Sequence, residues 1–228
     1  MKVTTHGEHL VKITRFGAVN AYLVREDDGF TLVDTLIRGS ANDLLEAARQ
    51  QGGEIKRIAL THAHGDHVGS VDALTEQLSG VEVLISTRDA RFLTGDKTLD
   101  ASEQHGKARG GYVKIETRPT RTLEGGERLL SLQVIPTPGH TPGHVAFLDT
   151  RDRTLIAGDA YTTLGGVATT GQYNWRFPLA TTASWHRPTA VQSGRELRGL
   201  DPSRLAVGHG PVVENPTAAM DSALVKAQ

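Results

Sequence analysis

The chain has 228 residues, 38% hydrophobic and 22% charged, a composition that suits a globular domain with a core of its own and excludes a disordered chain. Lys and Arg number 25 against 26 Asp and Glu, a net charge of −1 with no long run of either sign, which argues against a nucleic-acid or anionic-membrane partner. With Cys 0, disulfides, thiolate nucleophiles and thiolate-held zinc are all excluded.

The first residues lack the apolar centre of a secretory signal, and no apolar run reaches membrane-spanning length, so the expectation is a soluble, cytoplasmic protein. Strands are expected over 11–16 and 21–25, then a hairpin turn at Asp27-Asp28-Gly29 leading into a strand over 30–34. Ser40 opens a helix whose apolar positions Leu44, Leu45, Ala47 and Ala48 fall at helical spacing, and Gly52-Gly53 stops it. A buried strand over 57–61 runs directly into Thr61-His62-Ala63-His64-Gly65-Asp66-His67. Val68, Val71, Leu74 and Leu78 then place a helix right after the histidines, followed by a strand over 81–86. The polar stretch 95–118 reads as a mobile or variable insertion. Four more strands are expected over 129–135, 144–149, 154–157 and 205–207, with a Gly- and Thr-rich loop over 165–178 carrying aromatic residues. Helices are expected over 188–200 and after Asn215-Pro216. No linker, repeat or low-complexity segment interrupts this order, so one domain is expected over 1–228.

Of the ten histidines, five fall with two aspartates where strands run into loops. These are His62, His64, Asp66 and His67, then His140, Asp159 and His209. Neutral imidazole and carboxylate are the donors that zinc, iron, manganese and cobalt accept. One histidine in a Gly-rich loop is ordinarily a satisfied polar residue. Four donors within six residues, joined by three more in similar Gly-flanked turns, give neither packing nor solubility anything, and point to metal binding.

These residues, with Leu32-Val33-Asp34-Thr35, Thr137-Pro138-Gly139-His140-Thr141-Pro142-Gly143-His144 and Gly208-His209-Gly210-Pro211, resemble the metallo-β-lactamase-fold hydrolases in order and context. The resemblance implies an α+β fold, the four-layer αββα sandwich of that family. It implies that His62, His64 and His140 hold one metal, that Asp66, His67 and His209 hold a second, and that Asp159 bridges them. Two divalent ions, zinc by preference with iron or manganese as alternatives, would share a hydroxide about 3.5–4 Å from ion to ion and polarise a carbonyl or phosphoryl oxygen. Asp66 is then the group expected to orient that hydroxide and relay a proton. Asp34 is a candidate partner for the histidine loop, with capping or turn duty as the other reading. His144 reads as strand packing, and His105 and His186 as surface residues.

The absence of cysteine argues against the lactamases that use a thiolate ligand. The 19 residues after His209 carry one basic side chain, Lys226, unlike the glutathione-binding glyoxalase II region. Acyl-homoserine lactonases are similar in metal motif but place a tyrosine three positions after the bridging aspartate. Thr162 stands there, and Tyr161, two positions on, is the candidate oxyanion donor, with core packing as the alternative. The loop Tyr173-Asn174-Trp175-Arg176-Phe177, with Trp185 and Phe92, reads either as an apolar lid for an acyl or aryl group or as cover for a sheet edge. The expected activity is hydrolysis of an ester, lactone or thioester, so the expected partner is a small molecule with a carbonyl centre. A homodimer is compatible with the fold. The alternative is an oxidoreductase resembling persulfide dioxygenases, which use one iron on residues matching His62, His140 and Asp159.

Overall fold

The start of the chain forms an antiparallel meander of Lys2–His6 (β1), Leu10–Arg15 (β2), Val19–Glu26 (β3) and Gly29–Val33 (β4), in which β2 to β4 carry apolar residues that alternate or run together. In this computed structural model, which describes residues 1–227, Glu26 pairs with Gly29, so the β3–β4 hairpin turns on Asp27 and Asp28. Ile55–Ala59 (β5), Glu82–Ser86 (β6) and Arg121–Leu123 (β7) then add parallel to β4 and complete a seven-stranded sheet in chain order. Parallel neighbours need crossovers, and helices supply them. Ala41–Gln50 (α1) joins β4 to β5 and buries Ala41, Leu44, Ala47 and Ala48 along one face. Gly65–Val68 (α2) and Val71–Gln77 (α3) join β5 to β6, and Thr87–Leu93 (α4) follows β6. These elements make the first of two compact units, Met1–Asp96 with Gly111–Leu123.

The second unit is Lys97–Gly110 together with the chain from Glu124 onwards. Its six-stranded sheet consists of Arg128–Leu129 (β8), Leu132–Pro136 (β9), Val145–Asp149 (β10), Thr154–Ile156 (β11), Arg204–Ala206 and Val213–Glu214, lying side by side in that order. Between them in sequence lie a small ribbon of Tyr161–Thr162 (β12) and Ala168–Thr169 (β13), then helices Pro178–Thr182 (α5) and Arg187–Gly199 (α6). The two late strands are therefore β14 and β15, and Thr217–Lys226 (α7) closes the unit. Its core gathers Leu148, Leu155, Tyr161, Leu197, Leu205 and Met220. No helix among the described residues is long and apolar enough to cross a membrane.

Two expectations need correction, and one strand is added. The helix after the histidine motif starts inside it: α2 begins at Gly65, so Asp66 and His67 sit on a helical turn rather than in a loop. The stretch 95–118 is tied down in both units, with Gly65 N–H donating to Gly111 O (2.8 Å) in the first and Lys107 N–H to Trp185 O (3.3 Å) in the second. Lys2–His6 forms a strand although its polar, β-branched sequence carries no apolar alternation, because it pairs with β2 along its whole length.

Candidate functional site

The parallel strands β4, β5 and β6 all end at the same edge of the first sheet, and each delivers a polar group just past its last residue. Asp34 follows β4, Thr61 and His62 follow β5, and Asp89 lies on α4 directly after β6. Asp34 accepts from Thr61 N–H at 2.8 Å and from Thr61 Oγ1 at 2.8 Å, and its other contact is His67 Nδ1 at 2.7 Å. A carboxylate only accepts, so His67 carries its proton on Nδ1 and presents a bare Nε2. The same logic passes through Thr61. Its hydroxyl proton goes to Asp34, so its oxygen accepts from His62 Nδ1 (3.0 Å), leaving His62 Nε2 with a lone pair. That Nε2 faces His64 Nδ1 at 3.1 Å. Asp89 is fully buried and accepts from Ala63 N–H at 3.1 Å, which fixes the residue between the two histidines. The rings of His62 and His67 lie 4.1 Å apart, and Tyr112 packs edge-on to His64 at 4.7 Å. His62, His64 and His67 are buried, whereas Asp66 is half-buried, with its carboxylate 3.8 Å from His67 Nε2.

The second unit builds its cluster from turns far apart in sequence. β9 and β11 both run antiparallel to β10, and β14 runs parallel to β11, so β9, β11 and β14 all leave the sheet at one edge. His140, Asp159 and His209 follow those three ends. His140 Nε2 lies 3.4 Å and His209 Nε2 3.2 Å from the same oxygen, Asp159 Oδ2. The hydroxyl of Ser184 donates to Ala180 O (2.9 Å), so it accepts from His140 Nδ1 (3.0 Å) and leaves Nε2 bare. The Asp159 amide donates to His144 Nε2 (3.0 Å), and His144 Nδ1 then donates to Thr137 Oγ1 (2.7 Å). Thr170 Oγ1 donates to the Asp159 carbonyl at 2.7 Å. Gly139 has a φ of +137°, and a Cβ there would lie 2.3 Å from the Ala190 backbone, so only glycine lets the His140 turn sit against α6. Two imidazole Nε2 atoms aimed at one carboxylate oxygen, all buried, are a donor set that fits a divalent ion.

Residues 14–209 match the sequence profile of the metallo-beta-lactamase superfamily. A Bacillus subtilis (strain 168) relative bearing the name "Uncharacterized protein YobT" is 44% identical over 232 residues, covering 100% of this chain and 99% of its own. The chain belongs to the metallo-beta-lactamase superfamily. "Probable metallo-hydrolase YflN" of Bacillus subtilis (strain 168) is 30% identical over 219 residues, covering 84% of this chain and 80% of its own. A crystal structure of TTHA1623 in a di-iron-bound form is 32% identical, with a TM-score of 0.68 over 90% of this chain and 94% of that one. The fold class read from the motifs therefore holds: strands and helices are arranged as in the metallo-β-lactamase fold. Members of the superfamily are mostly metal-dependent hydrolases acting on small molecules, and the two clusters supply metal-type donors in keeping with that membership.

Seen within this superfamily, several residues fall differently from the sequence expectation. Tyr161 takes the core-packing side of that expectation: it is fully buried in the second unit's core, and its hydroxyl donates to Gly194 O at 2.7 Å. Burial pushes its pKa well above the ordinary tyrosine value, so it keeps that proton. Trp185 and Phe92 are buried as well, Phe92 against Tyr112. Phe177 packs on the His209 ring with centroids 5.0 Å apart, whereas Tyr173 and Trp175 are exposed beside a cavity of about 640 Å³. His144 belongs to the Asp159 turn rather than to general strand packing. Asp34 does hold the histidine motif. Asp89, Ser184 and Thr170 went unnoticed in the sequence. Ser86-Thr87-Arg88-Asp89 carried a signal for the first, because Ser86 Oγ accepts from Asp89 N–H as a helix cap (3.1 Å).

Proposed function

We propose that this chain is a dinuclear metal hydrolase that opens an ester, lactone or thioester. In this reading His62, His64 and His140 would hold one divalent ion and Asp66, His67 and His209 the other, with the Asp159 carboxylate completing the donor set. When bound, such ions supply a water of lowered pKa and a Lewis acid for the carbonyl oxygen. Membership of the superfamily and the order of the seven donors support this assignment. The observation that carries it is the approach of the His140 and His209 Nε2 atoms to a single oxygen of Asp159.

The protein's own groups have separable tasks. Asp34 sets the tautomers of His67 directly and of His62 through Thr61, so both rings present lone pairs. Ser184 does the same for His140. His144 and Thr170 lock the Asp159 turn through its amide and carbonyl, which keeps the carboxylate in place. Asp66 is the half-exposed member of the set, and so the carboxylate best placed to exchange a proton with solvent or substrate.

Zinc is the favoured metal on donor type. The di-iron form of TTHA1623 supports testing iron beside it. The test is a panel of aryl esters, lactones and thioesters assayed with metal-loaded, full-length protein, before and after chelation. Hydrolysis that chelation abolishes and zinc or iron restores is expected. Inactivity on the whole panel, with oxygen uptake on a persulfide by protein carrying one iron per chain, would replace the hydrolase with the dioxygenase reading.

A further inference from the structure

Residues 111–117 lie outside the helices and strands of the first unit, yet the histidine motif is built against them. His64 is the last extended residue before α2, and it forms a single antiparallel bridge with Tyr112. The bond that closes the bridge joins the flanking residues, Gly65 N–H to Gly111 O (2.8 Å). An antiparallel pair of that kind brings its two side chains closest together. The Tyr112 ring accordingly stands edge-on to the His64 imidazole, with centroids 4.7 Å apart. A Cβ on Gly65 would lie 2.8 Å from Val113 Cγ1 and 3.0 Å from Gly111 O, so glycine lets the segment close down on the motif.

The segment is held along its length. Ile115 is buried, and its N–H donates to Leu93 O (2.9 Å). Asp72, on α3, accepts from the Glu116 and Thr117 amides (3.1 and 2.8 Å) and from Thr117 Oγ1 (2.7 Å). The chain therefore crosses the motif as a strap, from Gly65 at one end to Asp72 at the other. Tyr112 also packs on the fully buried Phe92 ring at 4.5 Å, and the Arg88 guanidinium covers Phe92 in turn. Burial, and then the nearby Asp89 charge, raise the Tyr112 pKa, so the ring stays a neutral phenol and packs alike across the working pH range.

This contact falls where the motif needs orientation. His64 Nδ1 lies 3.1 Å from His62 Nε2, so the atom His64 turns inward is the ring nitrogen nearest the backbone. A half-turn about χ2, a soft two-fold torsion, would put a carbon there and withdraw the donor. In His62 and His67 the hydrogen bond at Nδ1 opposes such a turn. In His64 that nitrogen is the inward one, and the Tyr112 ring meets the imidazole from the side. We infer that Tyr112 is a positioning residue for His64, its ring holding the imidazole with Nδ1 towards His62 before an ion arrives. The packing rests on the geometry alone; its use in metal capture rests on the reading given above.

Variants and one wild-type measurement on full-length protein keep the two apart. Zinc affinity is read by competition with a chelating dye, and the ligand field by the visible absorption of cobalt-loaded protein. Tyr112→Leu should weaken one of the two ions about 10-fold, the lower end of what losing a ligand's partner costs, and alter the cobalt spectrum. Tyr112→Phe keeps the ring and should match the wild type in both. Ile115→Ala removes buried contacts three residues along the same strap; it should lower the urea midpoint and leave affinity and spectrum in place. Wild-type affinity and spectrum in Tyr112→Leu, or an equal loss of affinity in Ile115→Ala, would overturn the assignment. NMR cross-peaks between the Tyr112 and His64 rings are expected in the metal-free wild type, whatever the variants' stability, and their absence would overturn it too. A wild type that shows those cross-peaks but takes up neither zinc nor cobalt would sustain the packing and contradict the metal reading.

Discussion

The two donor clusters are made in opposite ways. The first occupies six consecutive residues at the end of β5, and one carboxylate, Asp34, orients two of its histidines. The second draws His140, Asp159 and His209 from the ends of three strands and relies on several neutral partners: Ser184, the His144–Thr137 pair and Thr170. A contiguous motif can be held by a single charged group because the chain has already placed its donors together. A dispersed one needs sheet topology to bring its donors to one edge and a separate lock at each turn.

That contrast can be broken or sharpened by substitution. The largest effect is expected for Asp159→Ala, which removes the oxygen that His140 and His209 share. Esterase activity should fall by more than the ~100-fold that losing an outer partner typically costs, and metal content should fall with it. A variant with full metal content and activity would dismantle the second cluster as drawn. Next in size is Asp34→Asn, expected to weaken metal affinity by about 10–100-fold and to lower the urea midpoint. An amide there places a donor against the Thr61 and His67 protons. Ser184→Ala should cost less, within about 10-fold, since Ser184 governs one histidine through a neutral hydroxyl. Equal losses in these two variants would erase the difference between a charged master partner and distributed neutral ones.

Smaller effects lie outside the donors. Tyr161→Phe should leave kcat unchanged and cost about 1 kcal/mol of stability by equilibrium unfolding, for the lost bond to Gly194 O. A large fall in kcat with normal stability would return Tyr161 to the reaction. The smallest effects are acid-side. Burial alone would raise the pKa of Asp72, but bonds from the Thr117 hydroxyl and the Thr117 and Glu116 amides, with Arg38 nearby, bring it below the usual carboxylate value. Asp152 in the second unit is likewise lowered: burial opposes ionisation, while Thr154 and Arg204 outweigh it. A carboxyl whose folded pKa is depressed adds stability above its unfolded pKa and loses it as pH falls through the folded one. Asp72→Asn and Asp152→Asn should each flatten the acid limb of stability against pH and leave the neutral-to-alkaline limb with the same slope. An unchanged acid limb would remove those clamps from the account.

The same contrast explains what the sequence disclosed. His62, His64, Asp66 and His67 were legible because all lie in one motif, and His140, Asp159 and His209 because each sits in a Gly-flanked turn after an apolar run. What escaped was whatever depends on pairing across the fold. Ser184 stands 44 residues from the ring it orients. The task of His144 appears only once its Nε2 is seen on the Asp159 amide. Strands of two or three residues, such as β8, β12 and β15, are too short for any alternation to show. The polar loop around His105 gave no apolar period, because its order comes from Trp185, a residue some eighty positions away. Tyr161 misled for a related reason: its place in sequence is close to Asp159, while its hydroxyl turns into the core towards α6.

The central claim is that the two clusters together hold metal, and the most direct test is elemental analysis of full-length protein purified without chelator. Close to two divalent ions per chain, zinc, iron or manganese, is the predicted result. A chain that stays metal-free after zinc and iron have both been supplied would contradict it.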